Sequence, residues 1–545
     1  MSQPTTYRNP VLFADYSDPD AVRVGDTWYL TASSFANLPG LPVLASRDLV
    51  NWTLVGHALP SLKPVTHFQT PRRGGGVWAP ALRHEGGVFS IYYPDPDFGI
   101  FRVDAAEADG PWSEPVLIDA SVGAIDPCPF TDDDGSRWLV KAWARSRAGF
   151  NNRITLHRLD AQGTVADQGV TLLDGNLLAP VETSVGPLPW TTMEGPKVYK
   201  KEGWYYVFVP AGSVKVGWQG VFRSRALAGP WEGRNVMDQG STPVNGPHQG
   251  ALVDGPDGRW WFVHFQDQDS WGRVVHLQRV TWTDGWPKVG EGEGTRGQPV
   301  LEAPLPYPLA GRAPDYGVST RDAGLQAVPS LDWQWQANPQ PGWVRPGALV
   351  GTLRLACASH SANPWENPAL LTRKLEGPAC ALSARVSLMS RNEGEAAGLA
   401  AVAHRSVTLA VQAHGGALKL VLNDWPLDSA PAKEVESVDL GTLTSVWLKL
   451  WFVPLRVPVA NPPESPWPSV KTNTFAECSA WWSPDGRDWK PLGMPIPLPP
   501  GKWVGAQTGV FAVAPIGTPA FAATRNGYAE FDEAQWTVGP CQGFQ

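Results

Sequence analysis

One phrase recurs five times in the first half of the chain: a short motif, an apolar strand, a Gly-containing turn and an aromatic strand. The copies are "DPDAVRVGDTWYL" from Asp18, "WAPALRHEGGVFSIYY" from Trp78, "DPCPFTDDDGSRWLV" from Asp126, "EGPKVYKKEGWYYVFV" from Glu194 and "HQGALVDGPDGRWWFVHF" from His248. Several units close on a turn and a tryptophan, as in "SRDLVNW", "ADGPW", "LAGPW" and "TDGW". Four short strands in about 50 to 60 residues is the size of a propeller blade, so five copies predict a five-bladed β-propeller over residues 1–300. Propeller symmetry brings equivalent positions together around one channel. The repeat therefore predicts that Asp18, Trp78, Asp126, Glu194 and His248 converge there.

Composition agrees with an all-β chain. Gly 56, Pro 54 and Trp 28, with only 18% charged residues, suit many short strands joined by tight turns. A net charge of −8 without any run of Lys and Arg offers nucleic acid no electrostatic footprint. The five cysteines, Cys128, Cys357, Cys380, Cys478 and Cys541, form no CxxC pair and read as reduced, ordinary residues. "MSQPTTYRNPVLF" lacks a signal peptide's basic start and apolar core, and no apolar stretch is long enough to span a bilayer. The expectation is a cytoplasmic protein without a membrane partner. Its oligomeric state is not written in the sequence.

An Asp-Pro pair is usually a turn and nothing more. Asp95 and Asp97 in "YYPDPDFGIF" are read that way, and so is "FTDDDGSRW", where Asp132, Asp133 and Asp134 precede a hairpin. Asp18, Asp126 and Glu194 differ because the repeat gathers them at one end of a channel, where mutual repulsion and desolvation are costly unless the carboxylates have work to do. Paired carboxylates across a sugar linkage are the usual machinery of glycoside hydrolysis.

At these residues the chain resembles glycoside hydrolase family 43, over about residues 7–300. The resemblance rests on "NPVLFADYSDPDAVRVGDTWYL", "SSFANLPGLPVLASRDLVNW", "VWAPALR", "IDPCPFTDDDG", "MEGPKVYKKEGWYYVF" and "HQGALVDGPDGRWW". It implies that Asp18 is the general base, Asp126 the carboxylate that tunes and orients the acid, and Glu194 the general acid, with inversion at the anomeric carbon. It further implies Phe35 and Trp78 as apolar walls of the sugar pocket and Arg273 as a sugar contact. His248 resembles a family histidine that holds a water-coordinated structural calcium in the channel, and no cofactor is required for the chemistry. Asp20 is read as a turn cap outside the triad. Lys197 departs from the family's usual histidine after Glu-Gly-Pro, which puts contacts near the acid, and so leaving-group preference, in doubt.

Residues 301–324 read as a Pro/Gly-rich linker, and Leu301, Leu305, Tyr307 and Leu309 predict that it is packed down. Residues 325–545 read as an antiparallel β-sandwich from segments such as "ALSARVSLM" and "SVWLKLWF". This sandwich resembles the concanavalin-like domain of many family 43 xylosidases. "VPLRVPVANPPESPWPSV" reads as an inserted loop, and Trp333, Trp335 and Trp343 as core more than as a sugar platform. The function implied is an exo-acting inverting glycoside hydrolase releasing terminal pentose from xylo- or arabino-oligosaccharides. β-D-Xylosidase with α-L-arabinofuranosidase activity alongside is favoured over an arabinofuranosidase alone. A non-catalytic sugar-binding propeller is the reading from another class, and it predicts that one axial carboxylate has been replaced.

Overall fold

The computed structural model describes residues 5–307, 319–345, 349–426, 431–459, 467, 471–515 and 526–539. Five four-stranded antiparallel sheets follow one another along the first half. Each begins with one of the repeated motifs: Asp20–Val24, Ala81–Glu85, Ala124–Thr131, Lys197–Lys201 and His248–Asp254 are the first strands. Two-residue loops close several of the hairpins. Gly86-Gly87, Glu202-Gly203 and Asp284-Gly285 have positive φ at both positions, the geometry whose twist matches paired strands.

The register of the repeat differs by one residue from the sequence reading. Asp18, Asp126, Gly195 and Gln249 share a left-handed backbone, with φ of 53°, 53°, 55° and 54°. They are the equivalent positions, just ahead of the first strand at Asp18 and Gly195 and in the bulge that opens it at Asp126 and Gln249, so Glu194 and His248 stand one residue earlier in their blades. The motifs hid this because Glu-Gly-Pro and Asp-Pro align on their acids by eye and on their prolines in space. Gly195 meets the backbone demand, and a Cβ there would lie 2.9 Å from Gln249.

Part of the stretch read as linker is structured. Glu302–Pro304 pairs with Thr6–Arg8, and Tyr307 stacks on Trp28 at 5.0 Å. Leu305 packs into the same cluster, whereas Leu301 is exposed. Ser319–Asp322, assigned by sequence to the linker, is an edge strand of the second domain paired with Tyr528–Val538. Leu309 and Cys541 lie outside the described residues, as does most of the Pro-rich excursion.

The second domain is a sandwich of a seven-stranded and an eight-stranded sheet. In Val446–Pro458 alternate residues Val446, Leu448, Leu450 and Phe452 are buried in its core, as a one-sided sheet requires. Trp333 and Trp343 are buried, and Trp335 packs on Trp343. All three are structural.

The domains interlock. Leu38 and Trp335 exchange backbone hydrogen bonds, and Asn338 binds Leu62 through both backbone groups. Lys374 donates to the Asp15 carbonyl, and the Thr474 N–H donates to Asp269. Trp271 of the propeller is buried in the sandwich's core cluster, while Trp467, from the excursion, is buried in a propeller cluster with Trp190, Met193 and Trp218.

Candidate active site

At the start of the first, third and fourth blades, Asp18, Asp126 and Glu194, the last just before left-handed Gly195, come close enough for their charges to act on one another. Asp18 is buried and accepts hydrogen bonds from Ser33 Oγ at 2.6 Å and from Arg273 Nη1 at 2.8 and 3.0 Å. Arg273 is itself buried, with its guanidinium 5.1 Å from the Phe265 ring and its backbone N–H bound to Asp15. A fixed cation thus lies against the Asp18 carboxylate. Arg273 touches Asp18 directly, a contact the sequence reading had not given it.

Asp126 is equally buried, and its Oδ2 accepts the Gly195 N–H at 2.7 Å. That bond fixes the peptide immediately after Glu194. Burial and the charge of Asp18 push the Asp126 carboxyl up, opposed by the Gly195 N–H, Lys197 and Arg273. Burial, followed by the charges of Asp126 and Asp18, pushes Glu194 up to about 8. At neutral pH, then, Glu194 holds a proton. The two environments differ: Asp18 is hydrogen-bonded to a guanidinium, whereas Glu194 sits by two acidic neighbours that raise its proton affinity, and like groups placed in unlike environments can take different roles.

Phe35 and Val77 form a backbone bridge, which sets the segments carrying Phe35 and Trp78 side by side. Trp78 is partly buried and donates to the Gly74 carbonyl, whereas Phe35 is almost wholly covered. The rim is completed from the other domain. Trp503, 45% exposed and left-handed at φ 64°, stands 6.5 Å from Trp78 and 5.9 Å from the Arg273 guanidinium. Its loop is anchored by Gly505 N–H to Asp15 and Ala506 N–H to the Ser270 carbonyl. A Cβ on Gly505 would lie 2.7 Å from the Gly272 nitrogen, so the approach needs glycine. Nothing in "LPPGKWVGAQ" marks Trp503 as a pocket residue.

Two readings need correction. Asp20 is no turn cap: it accepts from Leu82 N–H and Arg83, and lies 3.2 Å from Lys197 Nζ. Lys197 is buried and also donates to the Pro80 carbonyl. The lysine that departs from the family pattern therefore ion-pairs with Asp20, linking the fourth blade to the first. The Asp132 reading as hairpin chemistry agrees with its turn bonds, Asp132 N–H to the Ser136 carbonyl and Gly135 N–H to the Asp132 carbonyl, while its carboxyl also reaches Lys200 and Tyr205 of the next blade.

His248 is buried, and its Nδ1 faces the Gly246 carbonyl at 2.6 Å. Burial pulls its pKa down to about 4, so the ring is neutral at pH 7. Among the described residues no three His, Cys, Asp or Glu side chains are grouped to hold a metal. One imidazole is a poor donor set for calcium, which prefers several oxygens. The residues present do not fit a protein-built calcium site.

A family model, "Glycosyl hydrolases family 43", matches residues 7–287. The chain belongs to glycosyl hydrolase family 43. A second family 43 element, "Beta xylosidase C-terminal Concanavalin A-like domain", matches residues 326–537. Among family 43 relatives, a beta-xylosidase of Formosa agariphila is 32% identical over 62% of this chain and 61% of its own length. A non-reducing end alpha-L-arabinofuranosidase of Bacteroides ovatus is 30% identical over 72% of this chain and 73% of its own. The chain spans about three fifths of the length of the first curated relatives it matches. The crystal structure of a xylan beta-1,4-xylosidase from Bacillus halodurans superimposes with a TM-score of 0.77 at 23% identity, covering 97% of this chain and 99% of that one. It shares the fold across both domains.

Proposed function

We propose that the protein is an exo-acting, inverting glycoside hydrolase that removes a terminal pentose from xylo- or arabino-oligosaccharides. The observation that carries the reading is the split between Glu194, whose proton affinity is raised by burial and acidic neighbours, and Asp18, held against Arg273, with Trp503 close to Arg273 and Trp78. Glu194 would donate its proton to the glycosidic oxygen as the bond to the anomeric carbon breaks. Asp18 would take a proton from water as that water attacks the opposite face of the sugar. Asp126 would hold the peptide beside Glu194 and keep the acid's proton affinity high. The binding-module alternative loses its support, since all three carboxylates are in place.

Between substrates, β-D-xylosidase is favoured, with α-L-arabinofuranosidase activity alongside. Relatives bearing each name keep both activities in view. Paired aryl β-xyloside and aryl α-arabinofuranoside assays measure their ratio, and proton NMR of the first-formed sugar reads the stereochemistry. Glu194→Gln should lose several orders of magnitude on xylobiose and far less on an aryl glycoside with a good leaving group. Equal losses on both, or a retained anomer, would overturn the assignment.

A further inference from the structure

Because Val446, Leu448, Leu450 and Phe452 face the sandwich core, the alternate positions put Trp447, Lys449 and Trp451 on the outer face of the seven-stranded sheet. Register extends the pattern across the sheet. Lys449 lies beside Trp481 on one neighbour and Ser383 on the other, and Trp451 lies beside Ala381. Beyond them come Gln535, Thr537 and Thr320. Small and polar residues therefore floor a trough, and tryptophans wall it.

Trp489, from the turn before Lys490–Leu498, adds to the wall with its ring 3.8 Å from Lys449 Nζ. Trp447 is fixed in orientation by its Nε1 bond to Glu533 and by Gly486, where a Cβ would meet the ring at 3.1 Å. The trough encloses about 670 Å³, within the range of ligand sites. Its charged lining balances, Lys449 and Arg487 against Asp485 and Glu533. It offers neither an anion nor a cation a net attraction.

We propose that this trough binds a neutral oligosaccharide chain, as a second sugar site separate from the catalytic recess. Such a chain presents apolar C–H faces to aromatic rings and hydroxyls to Ser, Thr, Gln and charged side chains, which matches the wall and the floor. A protein partner is a poorer match, because interface cores are depleted in Ser, Ala, Lys, Asp and Glu. An apolar ligand would leave the polar floor unpaired.

The test uses the full chain carrying Glu194→Gln, so that polymer is not consumed, in native gels containing soluble xylan, arabinan or galactomannan. At least one polymer should retard migration. Trp481→Ala with Trp489→Ala should weaken the effect about tenfold or more, as loss of buried aromatic anchors does. Ser383→Trp, which fills the floor and keeps every tryptophan, should do the same. In chains that retain Glu194, both variants should turn over aryl xyloside at the parent rate, which also reports correct folding. Lack of retardation by every polymer, or retardation untouched by both variants, would overturn the proposal. So would a dimer that both variants dissociate without any polymer effect, which would give the face to a second copy. Because the gel reads binding without turnover, an error in the catalytic assignment would leave this result intact.

Discussion

Replacing Glu194 by Gln should make the protein more stable while nearly abolishing its activity, and the gain should depend on pH in a defined way. The carboxyl's folded pKa of about 8 stands above the ordinary 4.5. Below pH 4.5 both folded and unfolded chains hold the proton, and the group is neutral in both. As pH rises the unfolded chain releases it while the native state keeps it, so native stability falls relative to the Gln variant until about pH 8. Linkage puts the difference near zero at pH 4, about 3 kcal/mol at pH 7 and about 5 kcal/mol at pH 9. With roughly 2.1 cal/mol/K of unfolding entropy per residue, a 545-residue chain melting in one transition should gain about 3 °C at pH 7. Differential scanning calorimetry of both proteins between pH 4 and 9 measures the divergence. A Tm difference that stays constant with pH, or a less stable variant at pH 8, would refute the claim that burial and its acidic neighbours hold Glu194 protonated.

Activity should fall above pH 8, as Glu194 ionises and loses its donor proton, and the fall should vanish in Glu194→Gln assayed on an activated aryl glycoside. Arg273→Ala should cut kcat/KM roughly hundredfold, since it leaves a buried carboxylate without its charged partner, and steady-state kinetics on aryl xyloside reads the loss. Trp503→Ala should lower kcat/KM on the same substrate by about tenfold through the rim contact, with little change in Tm because the side chain is half exposed. A chain ending near residue 304 should aggregate or lose most activity, because Trp271 and the faces bound to Trp335 and Asn338 become bare, and size-exclusion chromatography tests it. Prolonged dialysis against chelator should leave turnover largely unchanged, since proton transfer between Glu194, Asp18 and water needs no ion.

The blades were legible because each repeats a strand–turn–strand grammar, and the approach of Asp18, Asp126 and Glu194 because symmetry gathers the starts of the blades. What escaped the sequence depends on where backbone, not letters, aligns. Glu194 looks equivalent to Asp18 until the left-handed φ of Gly195 shows which residue occupies the turn. Asp20 and Lys197 each read as local features, yet they meet across the channel from different blades. The same holds for Trp503 and Trp467, whose neighbours lie hundreds of residues away and are set by domain docking. Conversely, Trp333 and Trp343 are buried as core, although both lie outside the short strand Gln334–Trp335 and do not alternate within one.

The exchange of Trp271 and Trp467 between the two cores has a bearing on descent. A recombination that replaced either half with a distant homologue would leave one vacant socket and one tryptophan without a seat. Drift in either core is thus answerable in the other, and lineages carrying this pair should inherit the halves as a single unit.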